Sequence, residues 1–240
     1  MKKHLTLLAA ALGFTLSAQA HFVWLEQPAD GSAAVLRFGE YAHNLRETSP
    51  GLLDRFGKPS AVHLTAQGEK AVEASKTANG FALPFGARAG EAIVAEDAAF
   101  PLRTSKQDDK EVTSWFRPGA RLITGFAAQS PKLALDLVPT GNAGEFKLYF
   151  KGQPLPKTKV EWLTQSGWAS TGYTDAQGAV KFDMPWQGQY VAEVRHTDRT
   201  PGTRGTEKYD SVSYVTSVTY VQASGLPALP AGPQGTPASK

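Results

Sequence analysis

Residues 189 to 198 read QYVAEVRHTD. In an extended chain successive side chains point to opposite faces. Tyr190, Ala192, Val194, His196 and Asp198 therefore share one face, and Val191, Glu193, Arg195 and Thr197 share the other. The first face is the more apolar, and His196 continues it where the strand runs out, at the rim of a sheet. The same alternation recurs nearby, in LALDLVP (133–139), FKLYFKG (146–152), KVEWLTQ (159–165), AVKFDMP (179–185) and SVTYVQ (217–222). Turn residues separate these runs, among them Gly141-Asn142, Ser166-Gly167 and Gln187-Gly188. Short strands with turns every 8–12 residues or so predict an antiparallel β-sandwich of immunoglobulin-like type.

Working outward, the first half carries strand-like segments at Phe22–Pro28, Ala33–Ala42, Ser60–Ala66, Gly80–Phe85, Glu91–Ala98 and Leu122–Gln129. Arg46 to Phe56 leaves room for a short helix interrupted by Pro50-Gly51, and the polar stretch Arg103–Asp109 reads as a loop. A second polar loop, TDRTPGTRGTEKYDS, follows His196. The expected fold class is all-β, two β-sandwich domains in series: an N-terminal β domain over residues 21–130 and an immunoglobulin-like sandwich over 131–223. Residues 224–240, rich in Pro, Gly, Ala and Ser, are expected to form a disordered tail.

The first twenty residues carry a basic start (Lys2, Lys3, His4), an apolar run from Leu5 to about Leu16, and the small-residue end Ala18-Gln19-Ala20. That pattern is a secretory signal peptide cleaved after Ala20. The apolar run is too short for a bilayer-spanning helix, which needs about 20 residues. The mature protein is therefore expected to be exported and to lack a transmembrane segment. The chain has no cysteine, which excludes disulfides and cysteine-based zinc sites and suits a bacterial periplasm. Loss of Lys2 and Lys3 leaves 23 basic against 22 acidic residues, and no Lys/Arg run marks a nucleic-acid partner. No G-x-S-x-G, phosphate-cradling loop or H-E-x-x-H is present, so the chain is not read as an enzyme.

Candidate chemistry rests on the four histidines that remain after cleavage. His63, between Val62 and Leu64, reads as a solvent-exposed strand residue. His43 lies in GEYAHNLRE between two acidic neighbours, Glu40 and Glu47. His196 at its rim either bonds locally or serves as a ligand. His21 is special, because cleavage gives it a free α-amine beside its ring. The amine pKa is about 7.7–8.0, so a cation displaces its proton readily near neutrality. Amine and Nδ1 chelate one ion, and one further imidazole makes the three-nitrogen histidine brace, suited to copper or nickel.

The G-x-P-L-P-x-x-x-V pattern from Gly152 to Val160, with T-D-x-x-G at Thr174–Gly178 and G-x-Y at Gly188–Tyr190, resembles the carboxypeptidase-regulatory or transthyretin-like sandwich. AHFVWLE, FGEYAHNLRETSPGLLDR and RHTDRTPG…YDSVSYVTSVTY resemble corresponding segments of a family of periplasmic proteins of unknown function, known as NikM-like nickel-uptake (cobalt/nickel transport accessory) proteins. The resemblance implies a transition-metal site of His21 with His196. Glu40, His43 and Asp198 are candidates to complete it or to orient the ring nitrogens. Phe22 stands where many members have an acidic residue, and His43 is a possible replacement for that ligand.

The expected function is thus binding of nickel, cobalt or copper as an accessory to uptake or buffering, with a membrane metal-uptake transporter as partner. Two alternatives stand beside it. The first is a copper-dependent oxidative enzyme acting on polysaccharides, which would need exposed aromatics around the metal. Of the tryptophans, Trp24, Trp115, Trp168 and Trp186 are available for that, but their places in strands and turns favour core packing. The second is a metal-free scaffold of two sandwiches.

Overall fold

The structure, a computed structural model, describes residues 21–237. The expected signal peptide lies outside the described residues. The fold is all-β, as the alternation predicts; among the described residues there are two 3-10 turns and no α-helix. No helix of the described chain is long and apolar enough to cross a membrane.

A large central sheet runs, in spatial order, β15 (Ala169–Tyr173), β14 (Lys159–Thr164), β17 (Gly188–Asp198), β20 (Ser211–Gln222), β10 (Lys110–Ile123), β8 (Ala92–Glu96), β4 (Ser60–Thr65) and β5 (Gly68–Glu73), with β9 (Leu102–Gln107) hairpinned onto β10. One face is covered by a smaller sheet of β1 (Phe22–Glu26), β2 (Val35–Glu40), β3 (Leu45–Arg46), β6 (Ser75–Thr77) and β7 (Gly80–Ala82). The opposite face is covered by β11 (Leu135–Pro139), β12 (Glu145–Phe150), β13 (Gln153–Pro154) and β16 (Ala179–Lys181). A short hairpin, β18 (Gly202–Arg204) with β19 (Glu207–Tyr209), occupies the polar stretch after His196.

Two apolar cores result, one on each side of the central sheet. Leu137, Phe146, Leu148, Trp162, Tyr190, Ala192 and Val194 fill one. Leu25, Leu36, Phe38, Phe81, Ile93, Ala120 and Leu122 fill the other. The expected boundary near Ser130-Pro131 falls between β10 and β11. The two halves are nonetheless joined by one ladder, because β20 runs parallel to β10 with Ser114–Ile123 opposite Ser211–Tyr220. A parallel pair between strands about a hundred residues apart leaves no local signature in the sequence.

Two local expectations are corrected. Arg103–Asp109, read as a loop, is largely strand: Arg103 to Gln107 belong to β9, whose polar residues are tolerated on an exposed hairpin. The tail expected to be disordered has defined partners up to Gly235. Leu226 bonds the Pro185 carbonyl, Gly232 bonds the Gln165 carbonyl and accepts from Asn44 Nδ2, and Gly235 bonds the Asn44 carbonyl. Its composition reads as unstructured because it cannot build a core of its own, yet an extended segment can still satisfy the backbone groups of loops it crosses.

Candidate functional site

The sequence F-G-E at residues 38–40 decides where His21 goes. β1 and β2 pair with Phe22 opposite Gly39, so the next step toward the N-terminus brings His21 level with Glu40. Gly39 has φ +148, and a Cβ there would lie 2.2 Å from the Leu45 carbonyl oxygen. Only glycine lets β3 close this tightly over β2. That closure delivers Glu47, whose amide bonds the Phe38 carbonyl.

Glu47 is 1% exposed, and its Oε1 lies 2.6 Å from Nε2 of His21. Its second oxygen, Oε2, is buried without a hydrogen-bond partner. With the carboxylate accepting, Nε2 carries the proton. The other ring nitrogen, Nδ1, faces Oε1 of Glu40 at 3.6 Å, too far for a hydrogen bond. Oε2 of Glu40 in turn meets Nδ1 of His43 at 2.7 Å, and the His43 side chain is 75% exposed. His21, Glu40 and His43 are thus brought together, and Glu47, noted in the sequence as a neighbour of His43, serves His21 instead. Arg195 holds the backbone here: its Nη2 donates to the His21 carbonyl at 3.4 Å, its Nη1 to Ser213 Oγ at 3.3 Å, and its guanidinium stacks 5.0 Å over Phe22.

That contact corrects the expected pairing of His21 with His196. Arg195 and His196 are neighbours on a strand, so their side chains leave opposite faces of the central sheet. Arg195 reaches His21; His196 packs on Phe150, ring centroids 4.4 Å apart, in the other core. Burial lowers the His196 pKa, partly offset by Asp198. Asp198 shares that far face, bonded by Lys151 Nζ at 2.8 Å and by the Thr200 amide, with its carboxyl pulled down to about 2, chiefly by Lys151. His196 and Asp198 do not belong to the His21 site. His63 is also placed away from it, and is not the exposed residue expected: it stacks on Phe85 at 4.4 Å and meets Glu91 Oε2 at 2.8 Å. The tryptophans are packed, Trp24 and Trp162 at 0% exposure and Trp168 against Trp186. Among the described residues they make no aromatic platform.

Beside His21 opens a cleft of about 770 Å³. Its floor is the end of the central sheet that the smaller sheet leaves uncovered. Arg55, Arg103, Arg195 and Arg199 line it, with Asp210 as its one acidic side chain. These residues lie far apart in sequence, so no run of basic residues announced them.

A family model for a domain of unknown function, DUF4198, matches residues 18–198. The chain belongs to the DUF4198 family. The matched span contains His21, Glu40, His43, Glu47 and Arg195. No curated protein matches this DUF4198 chain. Among solved structures it is similar to the two-fibronectin-type-III-domain segment from chicken tenascin, at 11% identity over 80% of this chain and 95% of that chain, with a TM-score of 0.21.

Among the described residues no three His, Asp or Glu side chains are arranged to hold a metal ion. His21 Nδ1 and Glu40 are two donors.

Proposed function

We propose that the exported and processed chain binds one transition-metal ion, nickel, cobalt or copper, at His21, as a periplasmic accessory to uptake or buffering. His21 would supply its α-amine and Nδ1, and Glu40 a carboxylate oxygen, with His43 next in reach through Glu40. The observation that carries this reading is the Glu47 contact. A ligating histidine normally donates its other ring nitrogen to a carboxylate, which fixes the tautomer and turns the bare nitrogen toward the metal. Glu47 does this to Nε2 from a buried position, leaving Nδ1 to face Glu40 at 3.6 Å. Nδ1 and the Glu40 carboxylate oxygen then face one another as two donors that one cation could share. Two donors sharing one first-row ion at about 2.0–2.2 Å each are compatible with that spacing. The NikM-like resemblance adds a membrane uptake transporter as the proposed partner.

The test is isothermal titration of the mature protein with Cu(II), Ni(II), Co(II) and Zn(II), against a variant carrying one extra residue before His21. The extended form is expected to lose most of its affinity, and Glu40→Gln to weaken binding while leaving the fold intact. Equal binding by native and extended termini would overturn the proposal, since the amine could not then be a ligand.

A further inference from the structure

The arginine cleft is a second site with chemistry of its own. Among the described residues Arg37 and Arg46 pair with Glu26, Arg117 with Glu96, Arg121 with Asp136, and Arg204 with Glu207. The exposed guanidiniums of Arg55, Arg103 and Arg199 differ. Among the described residues no carboxylate pairs with any of them, yet the fold gathers all three around one cleft with the half-buried Arg195. They arrive from four places: Arg55 from the 3-10 turn Leu52–Arg55, Arg103 from β9, and Arg195 and Arg199 from the end of β17 and the turn beyond it. Asp210 is the one carboxylate in the lining, and one of its oxygens accepts from the Thr113 amide at 2.7 Å.

A cleft lined mainly by one sign of charge focuses the field and concentrates ligands of the opposite sign. Guanidinium forks match carboxylate and phosphate oxygens in pairs. The rest of the lining suits such a ligand. Ser105, Ser114, Ser211 and Ser213 offer hydroxyls across the floor, while Phe100 and Phe116, packed edge to face at 5.0 Å, make an apolar wall. A volume of about 770 Å³ is in the range of small-molecule sites rather than single-ion sites.

We infer that this cleft binds a small molecule carrying two or more oxyanion groups, carboxylate or phosphate, on a compact frame. Arg103 and Arg199 clamp it from opposite rims and Arg195 meets it at the floor. The site is independent of any metal at His21, although the two share a wall.

The experiment uses mature, metal-stripped protein, titrated calorimetrically with citrate, with pyrophosphate and with glucose as the uncharged control. One saturable site is expected for at least one anion, with no heat from glucose. Because charge-assisted hydrogen bonds are lost, the double variant Arg103→Gln/Arg199→Gln is expected to bind at least about tenfold more weakly. Arg88→Gln, which removes an exposed arginine outside the cleft, should leave affinity unchanged. Binding of citrate alone assigns a polycarboxylate, and of pyrophosphate alone a phosphate ester or polyphosphate. Absence of binding by both anions at millimolar concentration overturns the inference. So does a double variant that binds like the native protein, or an Arg88→Gln loss as large as that of the double variant. Because no metal is present, none of these outcomes bears on the His21 proposal.

Discussion

Nε2 of His21 and Oε1 of Glu47 meet at 2.6 Å across 26 residues of sequence, and the carboxylate is the buried partner. Glu47 brings an ionisable group into the interior with its second oxygen unpartnered, an arrangement that costs stability unless it serves the imidazole. Glu47→Gln should therefore keep or raise thermal stability while lowering metal affinity by about 10–100-fold, the usual loss when the carboxylate behind a ligating histidine is removed. Calorimetric titration alongside thermal denaturation separates the two effects. Unchanged metal affinity would deny Glu47 an orienting role.

The face assignment of β17 makes the next case. His196→Ala should leave metal affinity where it was and cost stability, because the ring packs on Phe150 on the far side of the sheet from His21. A large loss of metal binding by a folded His196→Ala protein would contradict that placement.

Gly39→Ala introduces a Cβ 2.2 Å from the Leu45 carbonyl at a backbone angle that L residues rarely adopt. Strain of this kind costs of order 1–3 kcal/mol, and relief by moving β3 displaces Glu47, which directly follows it. Both a lower melting temperature and weaker metal binding are expected. A variant as stable as the native protein would show that β3 yields freely.

Glu193 is buried in the central sheet, 8% exposed, with Oε1 lacking a partner. Burial first, then the nearby Glu161 and Glu40 carboxylates, push its pKa up to about 8, against the lowering pull of Arg195. The folded chain then keeps a proton that the unfolded chain releases near the ordinary value of 4.5. Stability from this group is present below about pH 4.5, falls as pH rises toward about 8, and is level above that. Glu193→Gln should flatten that part of the profile and be most stabilising at pH 8 and above. Denaturant titrations of metal-free protein at pH 5, 7 and 9 read this directly, and parallel profiles for the two proteins would refute it.

Arg121 and Asp136, both 0% exposed, form a buried pair with N–O distances of 3.1 and 2.5 Å, and Asp136 also accepts from the Lys132 and Leu133 amides. Removing one partner strands the other charge, so Asp136→Asn should cost about 3–5 kcal/mol. A loss under 1 kcal/mol by chemical denaturation would mean that water reaches Arg121.

What the chain announces by itself is local. Alternation along Gln189–Asp198 predicts the strand and which side chains share a face, because period-two geometry follows from the backbone alone. The same rule separates Arg195 from His196, but only the tertiary contacts show that it is Arg195 that turns toward His21. Two things were beyond local reading. The parallel ladder between β10 and β20 makes one central sheet of two halves, and Arg55, Arg103, Arg195 and Arg199 converge on one cleft. Both depend on which strands meet across a hundred residues or more, and that is set by burying two apolar cores at once rather than by any neighbour in the chain. His21 belongs to both accounts. Its position after Ala20 is written in the sequence, whereas its partner Glu40 comes from the pairing of β1 with β2 and Glu47 from the turn that Gly39 lets β3 make back over β2.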